Sequence, residues 1–403
     1  MNRTGRRFGL VATLVTTACG AAPGGRPCPD AGAPKVVPDC NAACGTIGIL
    51  GDAPSANPGT FRGYADPSIA HDPAAARRIW LAYSWPHLTT GQAPDGSAVY
   101  MAAVSTHLAR SDDGGTTFSY ESELWPAVPM ADPEGSGENG IASSETPSLT
   151  TITSGAATTW YGARLRYFLQ PQTGYHPKYG TSWTVRVAPA ASPAELAAAP
   201  AAVLGVSTTA AVYRPNARLD ELAGLPIARC AMLNNPTLFA KDGTLYLVVE
   251  CLAFVGTTLD LPDSSTQLFA TVPGGSPSAW TWRHVGVLAD HALAKELGDD
   301  TVQQPDVSLA ADGTPILLVT PAHADPSVQV GTVGDGCVAV ELASIDPPAL
   351  ARDCAGRAVI RARVSGARIG ACTHDSASAT GIVSTSQDAP GGNWKLRASG
   401  AHP

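Results

Sequence analysis

Four copies of one two-strand pattern, a composition rich in turn residues and a scarcity of helical periodicity predict an all-β fold. The expected architecture is a five-bladed (alternatively six-bladed) β-propeller of four-stranded antiparallel blades. The 403 residues include 41 Gly and 34 Pro, and 44% are hydrophobic, which is typical of a globular chain of short elements and tight turns. Helices are predicted only at 191–202 and 290–297.

The repeats carry the fold prediction. They begin at 65 ("ADPSIAHDPAAARRIWLAYSW"), 145 ("ETPSLTTITSGAATTWYGARL"), 234 ("NNPTLFAKDGTLYLVVEC") and 303 ("QQPDVSLAADGTPILLVTP"). Each has a polar residue before Pro, an apolar strand, a turn and a second apolar strand, and the prolines are 69 to 89 residues apart. Because each interval leaves room for two more strands, the spacing predicts five blades. The segment "GTIGIL" at 45–50 is expected to pair with the C-terminal strands and close the ring.

A turn in the first repeat, "RSDDGGTTFSY", places polar and small residues on alternate positions before an aromatic: Ser111, Asp113, Gly115, Thr117 and Phe118. The pattern S-x-D-x-G-x-T-[WF] resembles the Asp-box, or BNR repeat, of sialidases and related β-propellers. Degenerate copies end at Trp183, Trp282 and Trp394. The resemblance implies a structural turn on the outer rim, in which Ser and Asp side chains bond turn amides.

The first 43 residues differ in composition from the rest. Residues 1–18 have three arginines before a short apolar stretch, which predicts an export signal. The residues before Cys19 resemble the lipobox of bacterial lipoproteins, which implies that Cys19 becomes lipidated; cleavage near Ala18 without lipidation is the alternative. Residues 19–43 are predicted to be a Pro/Gly/Ala-rich tether, and 44–403 a single propeller domain.

Nine cysteines support an exported protein with disulfides. If Cys19 carries lipid, eight remain, an even number. The short loops between them favour Cys230 with Cys251 and Cys337 with Cys354, whereas the pairing of Cys28, Cys40, Cys44 and Cys372 stays open.

Polar residues stand at equivalent ends of otherwise apolar strands, which predicts a central pocket. At the start of the first strand of each repeat these are Asp66, Thr146, Asn235 and Gln304, and at the end of the second strand they are Ser84, Arg164, Glu250 and Thr320. Convergent polar groups in a central cleft are typical of a ligand site. The alternative is that they bond loop amides and channel waters around the axis.

The sialidase resemblance implies one chemistry for this pocket. Phe61-Arg62 partly matches the F/Y-R-I-P motif of sialidases, in which the arginine binds a sugar carboxylate. Arg62 and Arg164, with Arg214 as a third candidate, would then bind the carboxylate, and Glu250 would assist a tyrosine nucleophile, Tyr64 or Tyr175.

Two alternatives remain open. Similarity to five-bladed furanosidases and arabinanases implies that Asp66 activates water while Glu250 or Glu145 protonates the leaving group. Alternatively, the propeller is not an enzyme and binds a glycan or a protein at the cell surface. We expect a glycan or other small ligand, a monomer, attachment to the membrane through a lipid anchor, and an outer-membrane or cell-surface location; a secreted or periplasmic soluble protein is the alternative.

Charge and motif content argue against other classes. The net charge of −8, with 26 basic against 34 acidic residues, argues against a nucleic-acid partner. The histidines lack i, i+4 spacing, so we expect no metal, and no cofactor motif is found.

Overall fold

The structure, a computed structural model, describes residues 33–57, 59–92, 97–131, 139–170, 178–179, 183–204, 230, 232–255, 258–325, 331–389 and 392–403. In these ranges the chain forms five sheets of four or more strands and one two-stranded sheet, which confirms the predicted all-β propeller. We number the larger sheets as blades 1 to 5 in chain order. A search of the same ranges for a helix of membrane-spanning length and hydrophobicity finds none.

The N-terminal segment supplies outer strands to three blades. Its elements are β1 (Lys35–Val37), α1 (Cys40–Ala43), β2 (Gly45–Thr46) and β3 (Ile49–Leu50). The side chain of Asp39 caps α1 by accepting the amide of Asn41. The described elements thus begin before residue 44, within the predicted tether.

Blades 1 and 2 carry the longest strands. Blade 1 contains β4 (Ala65–Asp72), β5 (Ala75–Gln92), β6 (Ala98–Ser111) and β7 (Phe118–Trp125), with β3 parallel to β7. Blade 2 contains β8 (Val128–Ala131), β9 (Asn139–Ser154), β10 (Ala157–Gln170), β11 (Lys178–Tyr179), β12 (Thr184–Ala190) and β13 (Ala202–Leu204). The helix predicted at 191–202 is only a 3-10 helix, Pro193–Ala197, because Pro200 disfavours helical backbone just before it.

Blade 3 is a four-stranded meander of β14 (Met232–Lys241), β15 (Thr244–Leu252), β18 (Ser265–Thr271) and β19 (Arg283–Ala289). Between its second and third strands β16 (Phe254–Val255) and β17 (Thr258–Leu259) form the two-stranded sheet, and a 3-10 helix, Pro277–Ala279, precedes β19. Asp242-Gly243 forms the turn between β14 and β15, and both residues have positive φ, as this kind of two-residue hairpin turn requires.

Blades 4 and 5 complete the chain. The predicted helix at 290–297 is confirmed as α2 (His291–Leu297), capped by Asp290. Blade 4 contains β20 (Thr301–Leu309), β21 (Pro315–Ala324), β22 (Thr332–Gly334), β23 (Gly336–Ser344), β24 (Ala349–Leu350) and β25 (Ile360–Ser365), with β1 parallel to β25. Blade 5 contains β26 (Ile369–Thr373), β27 (Val383–Ala389) and β28 (Gly392–Ala398), and β2 is its fourth strand.

The innermost strands close a ring. Each one, β4, β9, β14, β20 and β26, contacts the next, and β26 returns to β4. Five apolar clusters fill the five interfaces between neighbouring blades. Within the described residues the ring therefore has five blades, as the repeat spacing predicts, and no sixth.

The prediction for residues 45–50 is confirmed in part. Gly45 and Thr46 pair with Ala398 and Arg397 in blade 5. Ile49 and Leu50 instead pair with β7 in blade 1. The segment thus bridges the two blades between which the ring closes.

Disulfides join Cys40 to Cys44, Cys230 to Cys251 and Cys337 to Cys372. The predicted Cys230–Cys251 pair is confirmed. The predicted Cys337–Cys354 pair is wrong, because Cys337 on β23 faces the neighbouring blade, where Cys372 on β26 is its partner. Cys354 is itself disulfide-bonded.

The turn between β6 and β7 is held by its own side chains. Asp113 accepts hydrogen bonds from the amides of Thr116 and Thr117 at 3.0 and 2.9 Å and from the Thr117 hydroxyl at 2.7 Å. The Ser111 hydroxyl accepts the Gly115 amide at 2.8 Å. Gly115 has φ +92°, and a Cβ there would lie 2.4 Å from the Ser378 hydroxyl, in the loop between β26 and β27 of blade 5. Phe118 is buried between blades 1 and 5.

Candidate active site at the propeller axis

Five equivalent residues surround the axis in a strained conformation. Each has φ between 43° and 50°, although none is glycine, and each lies at a β-bulge in the first strand of its blade: Asp66, Thr146, Asn235, Gln304 and Ala371. Four of them precede Pro, and the fifth precedes Cys372. Left-handed backbone at such residues persists only where the surrounding structure enforces it.

Hydrogen bonds between blades fix these bulges. The amide of Asp66 donates to the Thr385 hydroxyl at 2.9 Å, and that of Thr146 donates to the Ser84 hydroxyl at 3.0 Å. The amide of Ala371 donates to Thr320 Oγ1 at 3.0 Å, and that of Gln304 donates to Glu250 Oε1. The predicted polar residues at second-strand ends thus mostly accept the bulge amide of the next blade.

A second set of hydrogen bonds lies one residue beyond the prolines. Ser68 accepts the Leu149 amide at 3.0 Å, and Ser148 accepts the Leu238 amide at 2.8 Å. Thr373 accepts the Ile69 amide at 3.4 Å, which joins blade 5 to blade 1.

The central cavity is narrow. It is lined by the bulge residues and those that follow them, Asp66–Ser68, Thr146–Pro147, Asn235–Thr237, Gln304–Asp306 and Ala371–Thr373, and its volume of about 30 Å³ holds a water molecule or two. A ligand larger than water does not fit inside it.

Asp66 lies within electrostatic range of both Glu145 and Glu250. Burial raises the pKa of Asp66 to about 6, against a hydrogen bond from Ser84. Burial, together with the charge of Asp66, raises the pKa of Glu145 to about 8. Burial also raises the pKa of Glu250 to about 7, and Asp66 again contributes. That these acids form one site stays a prediction.

Glu250 and Glu145 differ in their surroundings. Glu250 is 4% exposed; its Oε2 accepts hydrogen bonds from the side chains of Asn235 at 2.7 Å and Asn234 at 3.2 Å. Glu145 is partly exposed, and its Oε2 accepts one hydrogen bond, from the Tyr167 hydroxyl at 2.9 Å. Glu250 is therefore held rigidly, whereas Glu145 keeps hydrogen-bonding capacity for a ligand.

Gln304 and Thr320 hold blade 5 in place. Gln304 Oε1 and Thr320 Oγ1 both accept the amide of Ala371, at 2.7 and 3.0 Å. Ser84 and Thr320 are almost fully buried. These contacts are of the kind given by the alternative interpretation of the sequence, in which the polar residues at strand ends bond amides around the axis.

Arg164 does not lie between the acids. Its guanidinium stacks on Trp125 of blade 1 at 4.5 Å, and its charged neighbours are Arg186 and Arg166. Arg164 is opposite the bulge of β9, and the causes that set the pKa values of Asp66 and Glu250 do not include it: burial raises both.

Arg62 and Tyr64 also point elsewhere. Arg62 is exposed and donates to the side chain of Asn393 in blade 5 at 3.3 Å, so it forms no cluster with Arg164. Tyr64 packs edge-on against Tyr83, and burial and the charge of Asp52 raise its pKa. Tyr175, Arg214 and Cys19 lie outside the described residues.

Sequence reasoning missed Asp306, a further buried acid at the axis. It follows Pro305, where the other blades have Ser68, Ser148, Thr237 and Thr373. Burial raises its pKa to about 7, against hydrogen bonds from Thr373 and the amides of Val307 and His374. Aligning the residue after each proline would have found it.

One group of potential metal ligands lies away from the axis. Asp299, His323 and Asp335 place their ligand atoms within 4.8 Å of one another. His323 Nδ1 is 2.5 Å from Asp335 Oδ2, so the group is internally hydrogen-bonded. Sequence spacing could not reveal it, since its members come from three separate segments.

Comparison with known proteins gives fold-level similarity only. Neither a protein-family model nor a curated protein sequence matches the chain. Among solved structures it is similar to a family 117 glycoside hydrolase from the marine bacterium Zobellia galactanivorans, with 13% identity, 89% of this chain and 90% of that chain covered, and a TM-score of 0.47. It is also similar to a family 43 arabinoxylan arabinofuranohydrolase from Bacillus subtilis (12% identity, 84% and 65% covered, TM-score 0.42) and an α-L-arabinofuranosidase from Lactobacillus brevis (10%, 71% and 74%, 0.39). Because all three scores are below 0.5, the fold is assigned from the strand order.

Proposed function

We propose that this chain is a glycoside hydrolase in which Asp66 and Glu145 carry the chemistry. The supporting observation is the pair of raised and unequal pKa values, about 6 for Asp66 and about 8 for Glu145. Near pH 7 one carboxyl group is then ionised and the other protonated. Hydrolysis of a glycosidic bond needs that combination.

Asp66 acts as the general base. Its carboxylate receives a proton from the attacking water, whose oxygen forms the new bond to the anomeric carbon. Ser84 supports this role because its hydroxyl bonds both the Asp66 carboxylate and the Thr146 amide. The base is thereby tied to the neighbouring blade.

Glu145 acts as the general acid. It donates its proton to the glycosidic oxygen as the bond from that oxygen to the anomeric carbon breaks. Its partial exposure and its single hydrogen bond to Tyr167 leave it able to approach a bound sugar. Glu145 then takes up a proton from solvent and Asp66 releases one, which restores the starting state.

Glu250 is a positioning residue in this scheme. Its carboxylate bonds the side chains of Asn234 and Asn235 and the amide of Gln304, joining blades 3 and 4. Those three donors occupy both of its oxygens. Glu145 is therefore the better acid of the two that the sequence offers.

Sialidase-like chemistry has less support. Tyr64 is buried against Tyr83 with a raised pKa, which makes it a poor nucleophile, and Arg62 and Arg164 lie in different places.

We also propose that the chain is exported and held at the membrane by lipidated Cys19, on the strength of the N-terminal sequence.

Substrates with different leaving groups separate the two roles. On a 2,4-dinitrophenyl glycoside, whose leaving group needs no proton, Glu145→Gln should retain most of the turnover. On the matching alkyl glycoside it should lose about 10²-fold or more. Asp66→Asn should lose turnover on both substrates.

Glu121→Gln is the matched control, because Glu121 lies on β7 and pairs with Arg110. Its turnover should be unchanged. Hydrolysis that survives Asp66→Asn would refute the proposed base. If the wild-type chain binds glycosides from a panel but cleaves none of them, the non-catalytic alternative is favoured.

A further inference from the structure

Three arginines share one face of blade 2. Arg164 on β10 and Arg186 on β12 are directly opposed, and Arg166 follows two positions along β10, so their side chains leave the sheet on the same side. Trp160 and Ala188 share that side and pack in the core between blades 1 and 2. The arginines therefore face the cleft between these blades.

Among the described residues, these arginines have no negative partner. Within the ranges that the structure describes, none of the three forms an ion pair, and Arg164 Nε is buried without a hydrogen-bond acceptor. The contacts present are weak: Arg166 Nη2 to Met130 Sδ at 3.7 Å and Arg186 Nε to Thr184 Oγ1 at 3.5 Å.

The cluster is costly without a bound anion. Like charges directly opposite each other on neighbouring strands destabilise a sheet, and partial burial removes water that would otherwise screen them. Burial and the neighbouring arginines lower the pKa of Arg164 to about 9. In a chain with a net charge of −8, such a cationic cluster stands out from its surroundings.

The cluster lies at the height of the proposed acid but on the other face of the sheet. In the pairing of β9 with β10, Arg166 is opposite Ser144, whereas Glu145 is opposite Leu165 and therefore leaves the sheet on the face away from the arginines. Arg166 also reaches Met130 of β8, which pairs with the edge of β9 not taken by β10. A group bound by these arginines would thus lie at the height of Glu145, on the face of blade 2 that packs against blade 1, whose first strand carries Asp66.

We propose that Arg164, Arg166 and Arg186 form a subsite for an anionic substituent of the glycan, a carboxylate or a sulfate ester. This inference rests on the proposed function and names its substrate class. Guanidinium groups bind such planar or tetrahedral oxyanions through paired hydrogen bonds, and the unpaired Arg164 Nε supplies one free donor.

Inorganic sulfate tests the site without a substrate. Full-length protein is heated in sodium sulfate and in sodium chloride at equal ionic strength. Because sulfate stabilises most proteins slightly, the readout is the difference between variants. The rise in Tm in sulfate relative to chloride should be smaller in Arg186→Gln than in the wild type and unchanged in Arg361→Gln. Arg361 is the control because it lies on blade 4 and pairs with Asp312 and Glu341.

Stability without sulfate gives a second readout. Arg186→Gln should be at least as stable as the wild type in chloride, because it removes a like-charge pair, and Arg186→Lys should keep the sulfate effect. A purely structural Arg186 would instead make Arg186→Gln less stable in both salts, and that result would overturn the proposal.

Matched polysaccharides distinguish the two anions. Affinity electrophoresis compares a sulfated galactan with its desulfated form, and polygalacturonate with its carboxyl-reduced form. In one of the pairs, removal of the anion should weaken binding by about tenfold or more, and Arg186→Gln should abolish the difference. Equal binding within both pairs would refute the subsite, whereas the leaving-group test above reports on Asp66 and Glu145 independently.

Discussion

Changing the pH should trace a bell-shaped profile of kcat/KM whose limbs belong to Asp66 and Glu145. The pKa of Asp66 is about 6 and it must be ionised, so turnover falls below pH 6. The pKa of Glu145 is about 8 and it must be protonated, so turnover falls above pH 8. About a tenth of the active form then remains at pH 5 and at pH 9. The two limbs report on the coupled pair, since each charge affects the other.

Tyr167→Phe should move one limb only. The Tyr167 hydroxyl stabilises ionised Glu145 through the 2.9 Å hydrogen bond, so its loss raises the pKa of Glu145 and shifts the alkaline limb upward. A hydrogen bond worth about 1 kcal/mol corresponds to roughly 0.7 pH unit. The acid limb should stay in place.

Initial rates on an alkyl glycoside, measured from pH 4 to 10 for the wild type and the variant, check this expectation. Tyr161→Phe is the control, because Tyr161 is buried in the same core without a bond to Glu145. A profile with both limbs below pH 5, or an alkaline limb that shifts equally in both variants, would show that Glu145 is not the acid.

Three further predictions concern stability and location. Asp113→Ala should lower Tm by a few degrees at pH 7 because it removes the turn hydrogen bonds. These bonds lower the pKa of Asp113, so the difference in Tm between wild type and variant should shrink as the pH falls below 4. Calorimetry at a series of pH values measures this difference. Gly63→Ala should cost about 2 kcal/mol or more in urea unfolding, because Gly63 has φ +124° and its Cβ would lie 2.1 Å from the Trp394 carbonyl oxygen; unchanged unfolding would contradict that. Cys19→Ser should move the protein from the membrane fraction to the soluble fraction, and an unlipidated wild-type N-terminus by mass analysis would exclude the anchor.

The prolines made most of the fold predictable from the sequence. Each X-Pro pair marks a first strand because proline, which has no amide to donate to the ladder, suits the position after the left-handed residue of the bulge. Blade 5 lacks this mark, since Ala371 precedes Cys372, so its position could be inferred only from the remaining length. The pairing of β1 and β3 with blades 4 and 1 was not predictable, because two or three residues carry no pattern.

The site was predictable at the level of positions and less so in its contacts. Aligned strand ends identified Asp66 and Glu250, but the same alignment placed Arg164 with them. An arginine cannot accept an amide as Ser84 and Thr320 do, so it turns away to Trp125. Side-chain direction at a bulge depends on packing between blades, which a single sequence does not reveal.

The N-terminal strands impose an order on folding. β3 pairs with β7, which ends at residue 125, β1 pairs with β25, which ends at residue 365, and β2 pairs with β28, which ends at residue 398. The pairing of β2 can therefore form only when almost the whole chain has been synthesised. Such long-range closure is slow compared with local hairpins, so we expect the docking of β2 to be a late step of folding.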